Sequence, residues 1–170
     1  MILTGTEIYN QLGHNLNIVP FRKEKLNPNS YNITLHNELV CYDNSQLDCR
    51  RDNLHHTVPL HVTGYTLRPG KLYLGRTVET FTLMEHVAFV EGRSSLARLG
   101  LFIHSAGLVD TGFAGHITLE FSVIQPLKIY PYIEVGQICY HTTQGDKTDY
   151  NGKYQNNEGT QVSKLFEELN

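Results

Sequence analysis

Cysteine is scarce in this 170-residue chain, and its three thiols, Cys41, Cys49 and Cys139, form no CxxC spacing. An odd, widely spaced set excludes a disulfide framework and a four-ligand zinc site, and implies reduced thiols. Charge of one sign is equally wanting, since the formal net charge is −3 and both signs are scattered evenly. That leaves no basic face for nucleic acid and no polybasic segment for a membrane, so neither is expected as a partner. Any anionic ligand must be gripped by local groups. Long apolar runs are missing too. None approaches the roughly 18 residues of a membrane span, and Met1-Ile2-Leu3 passes at once into polar residues, unlike a signal peptide. A soluble, cytoplasmic protein is the expectation. Gly-Lys-Ser/Thr is absent, which weakens any reading as a Walker-type ATPase. His36-Asn37-Glu38 imitates half of the signature of zinc-dependent base deaminases, but no Pro-Cys-x-x-Cys follows it.

What is present reads as one domain, long enough to bury a core without disulfides or metals. Thr4 and Glu7 have capping-box spacing and predict a short helix ending near Gly13. Short β-branched and aromatic runs follow: 30–35, 38–42, 64–67, 71–77, 86–90, 116–123, 127–130 and 137–142. Turns such as Arg68-Pro69-Gly70 divide them, the pattern of an all-β sandwich or barrel. A second short helix is predicted around 94–99. From 143 to 159 aliphatic residues almost vanish, so 143–170 is expected to be a mobile tail unless something orders it. Tyr150, Lys153, Tyr154 and Gln155 would suit such a tail to closing over a ligand. His55 and His56 are adjacent, cannot readily chelate one ion from a strand, and are read as loop histidines.

The chemistry concentrates between Glu91 and Phe121. Alternation in GHITLEF puts His116, Thr118 and Glu120 on one face and Ile117, Leu119 and Phe121 on the other. The apolar set claims the core, so Glu120 faces solvent, a subunit interface or a pocket. Gly112 to Gly115 lead into this strand from Asp110 and would allow close backbone approach by a ligand. Arg93-Ser94-Ser95, with Arg98, offers guanidinium forks, hydroxyls and free amides suited to phosphates. A solvated Glu120 and surface arginines in salt bridges are the bland alternatives. Two carboxylates beside an anion-binding segment point instead to acid/base chemistry on a phosphorylated substrate.

These motifs resemble the dUTPase and dCTP deaminase superfamily. Residues 106–115 match its Ala-Gly-x-Ile/Val-Asp-x-x-Phe/Tyr-x-Gly hairpin, and GRSSLARLGLF and GHITLEF are similar to the dCTP deaminase branch. MILTGTEI, VGQIC and the tail from Lys153 to Gly159 extend the likeness over most of the chain. The resemblance implies a distorted β-barrel or jelly-roll sandwich, a homotrimer with shared sites, and deamination of dCTP without zinc. It assigns Glu120 as the base that activates water and protonates the departing amine, with Arg98 and Ser94 placing the base, water or phosphates. Arg93, Ser95, Leu96 and Ala97 complete the triphosphate-binding segment. Asp110 lies under the sugar hydroxyl, Ala106, Thr118, Leu119 and Gln137 contact base or phosphate, and Tyr150, Lys153 and Asn157 belong to the closing tail. Magnesium is implied only as the triphosphate's counter-ion, and dTTP as a feedback inhibitor. Acid/base duty requires a carboxylate of raised pKa, which partial burial of Glu120 would supply.

The chain departs from the family pattern in three places. Asn157 stands for a glutamine, Asn32 for the aspartate of Ser-x-Asp, and Thr111 for a proline, the last expected to loosen the hairpin. Members either stop at dUTP or continue to dUMP and pyrophosphate. GLFIHSAGLVD, one residue shorter than the mono-functional form, looks more like the bifunctional members. A non-catalytic nucleotide-binding regulator and a jelly-roll structural subunit are the other readings, and the retained Glu120 argues against both.

Overall fold

The computed structural model describes residues 1–104 and 107–169. Helix α1 (Gly5–Asn10) starts at Thr4, whose Oγ1 accepts from Glu7 N at 3.2 Å. The Glu7 carboxylate takes Gln11 Nε2 at 2.5 Å instead of returning to the cap. The box is therefore half formed and the helix stops at Asn10. The strands are β1 (Leu16–Val19), β2 (Tyr31–Tyr42), β3 (His55–Pro59), β4 (Tyr65–Leu67), β5 (Tyr73–Leu83) and β6 (His86–Gly92). Helix α2 (Ser94–Ala97) then precedes β7 (Leu101–Ile103), β8 (Leu108–Val109), β9 (Ala114–Val123), β10 (Leu127–Ile129) and β11 (Glu134–Thr142), and α3 (Phe166–Leu169) closes the chain.

Nine of these strands form one curled antiparallel sheet in the order β7-β9-β5-β2-β11-β6-β8, with β1 added to β5 and β3 to β2. β4 and β10 pair separately. The predicted all-β architecture is the one found. The two runs 30–35 and 38–42 are one strand, because a register shift between Leu35 and Leu39 absorbs the interruption at His36 and Asn37. The first half of β2 pairs with β11 and the second with β5 and β3, so a single strand carries the sheet around the core. His55 and His56 are not on a loop but on β3, exposed, with His56 Nδ1 against Asp43. Inside, Tyr31, Tyr73, Tyr140, Phe81 and Phe121 are fully buried among aliphatic residues.

The β5/β9 pairing positions the site. β5 carries Thr77, Val78 and Glu79 opposite the single residue Ile117, between the pairs Arg76↔Thr118 and Thr80↔His116. Side chains replace the lost ladder. Thr77 Oγ1 accepts from Ile117 N at 3.0 Å and donates to Glu79 O at 2.7 Å. The Glu79 carboxylate, wholly buried, accepts from Thr34 N at 3.0 Å, Thr34 Oγ1 at 2.8 Å and Lys25 Nζ at 2.5 Å. A buried carboxylate without such partners would be costly. Beyond the bulge the register is regular, and Glu120 lies opposite Leu74.

Candidate active site

From Thr118 onward β9 behaves as its alternation requires, with Leu119, Phe121 and Val123 buried in the core and Thr118, Glu120 and Ser122 half-buried on the other face, whereas Ile117, expected in the core, is only half-buried at the bulge. A cavity of about 420 Å³ opens against that face. Glu120, Thr118, His116 and Asp110 line it from the sheet and hairpin, and Tyr150, Tyr154, Asn157 and Gln161 from the tail. Leu119 also lines it, but its side chain is in the core, so only its backbone is on offer. Apolar residues such as Leu72, Leu74 and Ile103 line the same cavity. Burial pushes the pKa of Glu120 above the ordinary carboxylate value, against the opposing pull of a backbone amide and of His104. His104 N donates to Glu120 O at 2.9 Å, which fixes the strand at this residue. The result is a carboxyl group able to hold or release a proton beside a partly apolar chamber.

Asp110 is exposed at the head of the hairpin and borders this cavity as well as a neighbouring one lined by Thr111, Thr143, Asp146 and Lys147. Gly112 and Gly115 do admit close backbone approach, but what approaches is the chain's own tail. A Cβ on Gly112 (φ 85°) would meet Asp149 Cβ at 2.5 Å, and one on Gly115 (φ 139°) would meet Asn157 N at 2.5 Å. Tyr150 N donates to Thr111 O at 2.7 Å and its ring stands 6.1 Å from Phe113. Gln155 clamps the two segments, accepting from Ala114 N at 2.8 Å and donating to Gly112 O at 2.7 Å. Asn157 is buried, extends β9 by a bridge at Gly115, and donates to His116 O at 3.0 Å. Its short side chain is therefore spent on the backbone. Gln161 N donates to Thr118 Oγ1 at 3.0 Å.

Thr111 ties the hairpin to β6. It is buried, and its hydroxyl donates to His86 O at 3.2 Å, a tie that proline could not make.

The second group of expected residues lies elsewhere. Ser94, Ser95, Ala97 and Arg98 are exposed on α2, Leu96 packs against the core, and none of them lines the cavity around Glu120. Arg93 is tied to β11 twice, through its N–H to Val135 O at 3.1 Å and through an ion pair with Glu134. Gln137 is close by on β11, accepting from Ser30 Oγ at 2.9 Å. The charge missing at Asn32 reappears at Glu134, to which Asn32 Nδ2 donates at 2.9 Å. Lys153 also lies off the cavity. It pairs with Glu168, which raises its pKa. Ala106 falls outside the described residues.

Sequence reasoning overlooked Gln155 as the clamp and Gln161 as a lining residue. Gln155 carries a legible signal, being an amide in the tail able both to give and to accept. Gln161, which acts through its backbone, carries none.

A model of the family described as dCTP deaminase-like matches residues 2–143. The chain is 51% identical over 171 residues to the "dCTP deaminase, dUMP-forming" of Hathewaya histolytica and 47% identical to that of Cytophaga hutchinsonii, with 99% of each chain covered in both cases. Among solved structures it resembles the 2'-deoxycytidine 5'-triphosphate deaminase of Agrobacterium tumefaciens (TM-score 0.66, 20% identity), covering 84% of this chain but 48% of that one. It also resembles the dUTPase of Staphylococcus bacteriophage 80alpha (TM-score 0.50, 12% identity), covering 89% of this chain and 93% of that one. At such identities these two likenesses speak for the fold.

Proposed function

The chain belongs to the dCTP deaminase-like family, and from that premise we propose that it deaminates dCTP and carries the product on to dUMP and pyrophosphate. The observation that carries this reading is the half-buried Glu120 of raised pKa in one cavity with Thr118 and Asp110.

In the first step the ionised Glu120 takes a proton from water as its oxygen attacks C4 of cytosine. The same carboxyl group then returns a proton to the C4 amine, the C–N bond breaks, and ammonia leaves dUTP behind. Oxyanion charge at C4 is met by Arg98 and Ser94. In the second step Asp110, placed under the sugar, orients a second water toward the α-phosphorus, releasing pyrophosphate. Leu96, Ala97, Ala106, Leu119 and Gln137 complete the substrate contacts, and Tyr150, Lys153 and Asn157 act from the tail. Magnesium belongs to the substrate, carried by phosphate oxygens and water. Among the described residues no group of three His, Cys, Asp or Glu is placed to hold an ion.

The same proposal includes a homotrimer. Arg93, Ser94, Ser95 and Arg98 stand outside the cavity that holds Glu120, which supports a site completed by α2 of another copy. dTTP, sharing sugar and triphosphate, would compete as a feedback inhibitor. A cytoplasmic location is proposed with it; among the described residues no helix is long and apolar enough to cross a membrane.

The test is a time course with dCTP and magnesium, resolving ammonia, dUTP, dUMP and pyrophosphate. Ammonia with dUMP and pyrophosphate is expected. Accumulating dUTP alone would remove the second step, and a bound but unchanged dCTP would leave only a regulator.

A further inference from the structure

The Glu134 carboxylate sits where a carboxylate looks misplaced, against the arginine that opens the anion-binding segment. Its surroundings explain it. β11 bulges between Glu134 and Gly136, which re-aims Glu134 relative to the regular register that follows. Two donors converge on its Oε2, Arg93 Nη1 and Asn32 Nδ2. Asn32 is itself held by Asn27, whose Nδ2 donates to Asn32 Oδ1 at 2.7 Å and to Ser30 Oγ at 3.0 Å. Ser30 in turn donates to Gln137. Ser30 and Asn32 are 4% and 8% exposed and Asn27 is half-buried, while Arg93 and Glu134 at the end of this chain are partly exposed.

We propose that Glu134 is a positioning residue for triphosphate binding. It fixes the Arg93 guanidinium through one nitrogen and leaves the other N–H donors free for phosphate oxygens, and the Asn27/Ser30/Asn32 chain holds Glu134 in place. This rests on the reading of α2 as the triphosphate segment. A second effect opposes it, because a carboxylate also repels phosphate. At the solvated edge of the fold that repulsion is screened, whereas a flexible arginine left unfixed loses its fork geometry.

The two effects give opposite results on substitution. Both donors use one oxygen, so Glu134→Gln can keep both bonds through its single carbonyl while losing the charge. Glu134→Ala keeps neither. Positioning predicts that Glu134→Ala raises the KM for dCTP about tenfold with little change in kcat, and that Glu134→Gln stays within about threefold of wild type. Asn32→Asp sets two carboxylates against each other and should weaken binding as Glu134→Ala does.

Inorganic tripolyphosphate, titrated by calorimetry with thermal melting as the folding control, separates this from the catalytic reading. Wild-type binding that is weakened in Glu134→Ala upholds positioning even if dCTP is not turned over. Unchanged KM and tripolyphosphate affinity in Glu134→Ala, or tighter binding in Glu134→Gln than in wild type, overturns it. Should Glu134→Ala melt early, Asn32→Asp decides, and a tripolyphosphate affinity unchanged in that variant overturns the proposal.

Discussion

Glu120 carries opposite demands on one side chain. Its burial raises the pKa that lets it return a proton to a leaving amine, and the same burial makes the ionised form unfavourable in the folded state. The sign of the linkage follows. With the folded pKa above the unfolded one, the residue favours folding when protonated, and that contribution is lost as pH rises through the folded value. Glu120→Gln is therefore expected to melt at a higher temperature than wild type at neutral pH, with the difference vanishing below the ordinary carboxylate range. The same variant should lose about a hundredfold or more of ammonia release while still binding dCTP. Ammonia release at the wild-type rate would remove Glu120 as the base. A neutral variant less stable than wild type at pH 7 would show that the ionised carboxylate has partners that offset its burial.

Among the elements, those with uninterrupted periodicity were legible and those built from side-chain bonds were not. β9 could be read residue by residue because alternation alone sorts Glu120 from Leu119 and Phe121. β2 read as two strands because His36 and Asn37 break the apolar run, and only the bulge makes it one. β1, β3, β7 and β8 were missed, being two to five residues long and defined by their partners. The tail is the clearest case. Its composition lacks aliphatic residues and predicts mobility, yet its contacts with the hairpin are made by backbone and amide groups, which hydrophobic patterning cannot register. Gln155→Ala removes the donor to Gly112 O and the acceptor for Ala114 N together. Amide hydrogen exchange across residues 149–163 should then quicken by about tenfold, and the KM for dCTP should rise more than kcat falls. Protection unchanged from wild type would mean that the strand-like bridge at Asn157 holds the segment without the clamp.

At the scale of the whole molecule the candidate residues divide into two groups, one lining the cavity around Glu120 and one outside it. Glu120, Thr118, Asp110, Tyr150 and Asn157 share a cavity, while Arg93, Gln137 and the exposed face of α2 lie around the end of β11. Sequence supplied both groups, because each is a local motif, but nothing in the sequence measures their separation. If the two groups meet across copies of the chain, two defective variants can complement each other. Arg98→Ala loses the cationic half and Glu120→Gln the base, and each alone is expected to be nearly inactive. Co-expressed in equal amounts, they would assemble sites in which an intact α2 from one copy faces an intact Glu120 from another. Random assortment makes about one quarter of the sites whole, so ammonia release should recover to about that fraction of wild type. Assembly within a single chain predicts no recovery at all, since every copy then carries one lesion or the other. The recovered fraction thus decides between a shared and a self-contained site without any further structure.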